Sequence, residues 1–245
     1  MSKKTKEQEQ KEQDIVLTHR YQNRITVVRF GKECLDADNY TAALSRFIEY
    51  LEILKDVKHL ESYFQLSPKQ FEQKSDLTEL LLISNVFFEM SRIYDVAPKF
   101  KDELQKCLNQ YIQFTVNQPF QHANSEQLRK HIKNGKLRNP ELFRYAYNQI
   151  QTESKKCYVA TLCFGDSHPV TNDLRQFKKV LCTTRLGLYG VDFYYRLSTK
   201  LVQICEYNRL TKLVSLSLLK PIILLVSKTL VPLIMKTCRS SRNLS

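Results

Sequence analysis

Glycine and proline are scarce in this chain, at 5 and 7 of 245 residues. β-Sandwiches and barrels need such residues at each reversal, so a turn-rich β fold is excluded. The seven cysteines, at 34, 107, 157, 163, 182, 205 and 238, are odd in number and contain no Cys-x-x-Cys pair. Neither a disulfide framework nor a zinc knuckle has that spacing. No catalytic or metal motif stands out, so neither enzyme chemistry nor a metal or other cofactor is expected. The start, Met1-Ser-Lys-Lys-Thr-Lys-Glu-Gln, lacks an apolar run. That predicts no secretory signal and places the chain in a reducing cytoplasm.

What is present is ordinary in bulk and uneven in charge. Hydrophobic content of 42% and charge of 26% fit a globular chain. Of the net +13, residues 1–104 hold 16 basic and 18 acidic side chains, and residues 105–245 hold 22 and 7. Such asymmetry points to an anionic partner for the C-terminal part, either membrane or nucleic acid.

Helical periods dominate. Residues 1–13, mostly Lys, Glu and Gln, cannot offset ordering entropy by burial and are expected to fray. Leu17, Tyr21, Ile25 and Val28 then share one helix face, and Asp36-Ala-Asp-Asn39 ends the run with turn and cap formers. Ala42, Ala43, Phe47, Tyr50, Leu51 and Leu54 mark a second helix. Asp76-Leu-Thr-Glu79 has the form of a capping box ahead of Leu77–Tyr94, a helix apolar nearly all round and expected at the centre of a bundle. Pro98 starts a further helix with Leu104, Cys107, Leu108 and Tyr111 inward. Residues 118–124 read as a loop, and a basic helix over Ser125–Asn134 ends at Gly135, expected as a left-handed cap. Asn139-Pro140 opens another helix with Leu142, Tyr145 and Ile150 inward, and Lys155-Lys156 marks the domain boundary.

Gly31, Ala43 and Phe47 have small–small–aromatic spacing that resembles a tetratricopeptide repeat. The resemblance covers about 34 residues, without the closing proline and with no second clean copy. Residues 14–154 are expected as a repeat-like helical domain that holds a protein partner.

Residues 157–208 change character. Cys157-Tyr158-Val-Ala160-Thr161-Leu-Cys-Phe164-Gly165 is followed by Pro169, Leu174-Arg175, Phe177 and Gly187, and then by Phe193-Tyr194-Tyr195-Arg196-Leu-Ser198. This order and spacing resemble the bacterial CFI-box C-terminal domain over about 50 residues, with Leu188, Lys179 and Thr199 departing from the usual pattern. The resemblance implies a small helical module and no assigned reaction. At helical spacing, Tyr189, Phe193, Tyr194 and Leu197 are expected to pack inward. Arg175 and Arg196 are a candidate anion clamp, and surface ion pairing is the competing reading. Cys157 with His168 as base and Asp166 or Asp173 as orienter is the one catalytic arrangement to weigh. Packing is the expected role of Cys157, with lipid attachment at Cys157 or Cys163 a third reading.

Leu213–Met235 is 23 residues of mostly Leu, Ile, Val and Ser, long enough to span a bilayer. It also holds Lys220, Lys228, Pro221 and Pro232. A lysine at the bilayer centre costs about 2.5–3.5 kcal/mol, so interfacial placement fits better than spanning. Lys212, Lys220, Lys228 and Lys236 recur every eight residues and can reach headgroups, with Arg239 and Arg242 beyond. Packing of the segment inside the protein is the alternative.

Residues 209–245 are thus expected as a hydrophobic, basic helix. The expected whole is an all-α bundle that adapts a protein partner to the inner face of the cytoplasmic membrane. Nucleic-acid binding through Arg129, Lys130, Lys133, Lys136 and Arg138 is the runner-up, and a cysteine enzyme the third choice.

Overall fold

The computed structural model describes residues 3–153, 158–165, 167–182, 184, 186–187, 189–191, 193–194, 197, 219–221, 223–225 and 227–229. Among them every regular element is helical and none is a strand, so the all-α class holds. The chain divides into two compact units, residues 1–146 and 147–245. This division falls within the helix over Pro140–Glu153, ahead of Lys155-Lys156.

In the first unit, α1 (Lys3–Asp36) and α2 (Tyr40–Val57) form a hairpin, and α3 (Leu77–Tyr94) and α4 (Lys101–Thr115) form another. Helix α1 starts near residue 3, not at Asp14: Lys, Glu and Gln are good helix formers, and adding residues to an existing helix is far easier than nucleating one. Asp38 takes a left-handed φ of 56° to turn the chain, and the Asn39 side chain accepts the Ala42 N–H at 3.2 Å to start α2. Gly31 makes the first hairpin tight. A Cβ there would stand 2.8 Å from the Phe47 ring and 3.1 Å from Arg46 Cβ, so only hydrogen fits. Ala43 and Phe47 are buried at the same level.

One turn of α1 departs from the expected stripe. Ile25 is exposed, and Arg24 takes the inward place. Its Nε and Nη2 donate to Glu79 Oε2 at 2.9 and 2.6 Å, its Nη1 donates to Tyr21 O, and its guanidinium lies 3.8 Å from the Tyr21 ring centroid. Tyr50 O–H donates to Glu79 Oε1 at 2.6 Å. Glu79 therefore ties α1 and α2 to α3 and does not close a capping box. Asp76 precedes α3, but its carboxylate accepts from Glu72 N–H and Ser75 O–H instead.

Helix α3 is buried over most of its circumference, as its composition demands, with Leu80, Ile83, Phe87 and Met90 fully covered. Helix α5 (Gln121–Asn134) begins four residues earlier than expected. Asn124 is the reason: its Nδ2 donates to Ser84 Oγ and Thr115 Oγ1, both at 3.0 Å, and its carbonyl accepts the Tyr111 O–H. This satisfied polar cluster pins α5 to α3 and α4. Gly135 ends α5 at φ −81°, extended rather than left-handed. Glycine is needed there for closeness, since a Cβ would meet the His131 carbonyl at 2.6 Å. In α6 (Pro140–Glu153), Phe143 and Ala146 point inward, Leu142 is half-buried and Tyr145 is exposed, which shifts the expected stripe by one residue.

The second unit contains α7 (Tyr158–Phe164), α8 (Pro169–Leu181) and short helical stretches within 186–197 and 219–229. Gly165, at φ 91°, breaks the chain between α7 and α8, and Thr171 Oγ1 donates to its carbonyl at 2.9 Å. Along α8 the residues best covered are Val170, Thr171 and Lys178, with Leu174, Phe177, Leu181 and Cys182 half-buried.

Substituting Gly31→Val tests the close approach of α1 and α2. Overpacking at a buried contact costs about 1–3 kcal/mol, and the clash exceeds the helix-propensity gain on replacing glycine, which is under about 1 kcal/mol. The expected result is a lower thermal midpoint with helicity retained at 25 °C. An unchanged midpoint would show that the two helices do not meet at Gly31.

Candidate functional site

Three places could carry function, and they lie in different parts of the chain. The first is the Cys157/His168 pair. Cys157 and Asp166 lie outside the described residues, and Asp173 is exposed on α8. His168 is the N-cap of α8: its Nδ1 accepts the Val170 N–H at 3.2 Å, and its ring stacks on Phe164 at 5.0 Å. The acceptor nitrogen must be unprotonated, so the ring proton sits on Nε2. Acting as a base would require His168 to release the cap. Cys163 is buried, and Cys107 in α4 has its thiol pushed far above the usual range by burial, then by Glu103. Thiols so held are poor nucleophiles. Among the described residues no group of three or more His, Cys, Asp or Glu could hold a metal.

The other residues of the 157–198 motif act locally. Ala160 is buried, and Thr161 Oγ1 is buried with no hydrogen-bond partner among the described residues. Pro169 starts α8, and Arg175 Nη1 donates to Asn172 Oδ1 at 3.0 Å. A Cβ at Gly187 would lie 1.9 Å from the Leu181 carbonyl, so no other residue fits. Tyr195, Arg196 and Ser198 lie outside the described residues, and the Arg175/Arg196 clamp with them.

The second place is the helical stretch over 186–197. Gly187 and Val191 are buried and Tyr194 is half-buried, which sets the inward face. The opposite face carries Leu186, Tyr189, Phe193 and Leu197, at 85, 75, 67 and 50% exposure. The expected inward packing of Tyr189, Phe193 and Leu197 is therefore overturned: Gly187 admits close approach only on its own side, and that side excludes them. Further along, Lys220 and Lys228 are exposed, as is Leu225, while Ser227 is buried. Lys212, Lys236, Arg239 and Arg242 lie outside the described residues. No helix among the described residues is long and apolar enough to cross a membrane.

The third place is a cleft of about 400 Å³ in the first unit, where Leu35, Tyr40, Arg92, Ile93, Asp95, Val96, His131 and Lys136–Arg138 converge. Asp95 shapes it. Its Oδ2 accepts Arg138 N–H, and its Oδ1 accepts the backbone and side-chain amides of Asn139, all at 2.9 Å. His131 stands edge-on between Phe88 and Phe143, its Nε2 buried without a hydrogen-bond partner among the described residues. Burial, then the nearby Arg92 guanidinium, hold its imidazole below the usual value, against opposing pulls from Asp95 and Glu89. Of the basic residues proposed for nucleic acid, Arg129 is engaged with Glu126 at 2.7–3.1 Å, while Lys130, Lys133, Lys136 and Arg138 are exposed.

No protein-family model, curated protein or solved structure matches the chain. The tetratricopeptide and CFI-box resemblances rest on the quoted residues alone.

Sequence reasoning missed Arg24, Glu79 and Asp95. Arg24 interrupts an apolar stripe, Glu79 reads from the sequence only as a local cap, and Asp95 follows the last residue of α3 with no local mark.

His131 sets a pH dependence. Its folded pKa is lowered, so the unfolded chain protonates first as pH falls below its usual value of about 6.5. Stability is full above that pH and declines below it, down to the folded pKa. The thermal midpoint should drop between pH 6.5 and 5, and His131→Phe should flatten part of the slope. Equal slopes for both proteins would remove His131 as the source.

Proposed function

We propose that this is a non-enzymatic interaction protein that joins a protein partner, held by the helices of its first unit, to an anionic membrane surface on the cytoplasmic face, met by its second unit. The observation that carries this reading is the exposed stripe Leu186–Tyr189–Phe193–Leu197 in a unit with 15 basic and 5 acidic side chains. Large apolar residues at helical spacing in solvent mark interaction or membrane sites. Tyrosine and phenylalanine suit the headgroup boundary. Each basic residue near anionic lipid adds about 1 kcal/mol. Partial burial of the four stripe side chains adds a few kcal/mol more, at about 1.5–3 kcal/mol for each one fully covered. Lys220 and Lys228 remain exposed beside Leu225, as an interfacial helix requires.

Nucleic-acid binding is a second reading, supported by Lys130, Lys133, Lys136 and Arg138 in solvent on one helix end and its following link. It has charge without a base-reading motif, which supplies only non-specific affinity.

Co-sedimentation with phosphatidylserine-containing and neutral vesicles tests the proposal. Binding should require the anionic lipid, weaken at high salt, and fall at least about tenfold in a Tyr189→Ser/Phe193→Ser double variant, since tenfold corresponds to about 1.4 kcal/mol. Absence of binding to either vesicle would refute the membrane role. A gel shift at physiological salt would then test nucleic acid.

A further inference from the structure

The adaptor reading leaves the cleft at the α5–α6 link without a role. Its volume, about 400 Å³, falls within the range of small-ligand pockets. Leu35 and Ile93 are buried in its floor, and the Tyr40 ring lies at its edge with its O–H donated to Asp38 Oδ1 at 3.1 Å. The polar wall is unequal in sign. Among the described residues Asp95 is the one acid lining the cleft, and its two oxygens already accept three hydrogen bonds from the link. It therefore has little capacity for a metal or an ammonium group. Arg92 is joined to Glu89. Lys136 and Arg138 are exposed at the mouth, and neither has an ion-pair partner among the described residues.

Helix ends do not cancel them. The carbonyl ends of α1, α3 and α5 point into this region, against the amino ends of α2 and α6. At about half a charge per end, the surplus is about half a negative charge, and Asp95 adds a full one; set against the two cations Lys136 and Arg138, this leaves about half a positive charge at the mouth. A link held by Asp95, an apolar floor and two cations at the mouth suit a small anion with an apolar body. Arginine adds bidentate geometry suited to phosphate.

We propose that the cleft binds a small organic phosphate, its phosphate against Lys136 and Arg138 and its apolar body on Leu35, Ile93 and Tyr40. The site is independent of the membrane reading, since none of its residues belongs to the second unit.

Phenyl phosphate is the probe, with phenol and inorganic phosphate as the two half-ligands, titrated calorimetrically into the full chain while the His131 imidazole is followed by NMR. Phenyl phosphate should bind with a Kd near or below about 1 mM, at least about tenfold tighter than either half, and should shift the His131 signals. Lys136→Ala/Arg138→Ala should weaken it by at least about 30-fold, since both charge-assisted contacts to the phosphate are lost. Lys130→Ala/Lys133→Ala changes the same net charge outside the cleft and should leave the Kd within about twofold. The proposal is overturned by any of four results: no binding at about 10 mM, inorganic phosphate equal to phenyl phosphate, equal losses in the two double variants, or an unmoved His131.

Discussion

A largely buried ion pair between Arg24 and Glu79 ties α1 to α3 across the first unit. The two residues are 55 apart in sequence and sit on α1 and α3, with Tyr50 of α2 closing on the second carboxylate oxygen. Burying two charges is costly unless their hydrogen bonds are complete. Here the carboxylate accepts from Arg24 and Tyr50, and the guanidinium also serves the Tyr21 carbonyl. The guanidinium is raised above its usual pKa by that carboxylate, against desolvation, so it stays charged. Apolar residues could fill the same space with several helix registers. A charged pair with one good geometry admits one.

The rest of the unit follows from that register. With Arg24 inward, Val28, Gly31 and Leu35 fall on the same face, and Gly31 meets Phe47. Holding α3 by its first turn brings its last turn to Leu35 and Tyr40, where Asp95 takes hold of the α5–α6 link. The polar cluster around Asn124 performs the same office between α3, α4 and α5 without charge.

The class of the fold was legible because helical periods are strong and turn formers few. The Gly31/Ala43/Phe47 spacing placed the first hairpin contact, and the apolar run of α3 placed that helix inside. Polar residues with distant partners were not legible. Asp76 and Glu79 made a good local cap on paper, but a tertiary partner outcompeted the cap for Glu79. Gly135 and Tyr145 were misplaced because backbone closeness and a one-residue shift of face leave no local mark. In the second unit the aromatic stripe carried the right spacing and the wrong side, since Leu186, Tyr189, Phe193 and Leu197 read the same whichever way the helix faces. Which face of that helix meets solvent is what the sequence leaves unmarked.

A double-mutant cycle on Arg24 and Glu79 tests the organising role of this pair most directly. Arg24→Ala, Glu79→Ala and the double variant would be unfolded in denaturant beside the wild type. Each single change should cost about 3–5 kcal/mol by stranding the other charge, and the double little more than either, giving a coupling of about 3 kcal/mol. Additive losses of under about 1 kcal/mol each, as exposed pairs show, would mean that the pair decorates a register fixed by apolar packing alone.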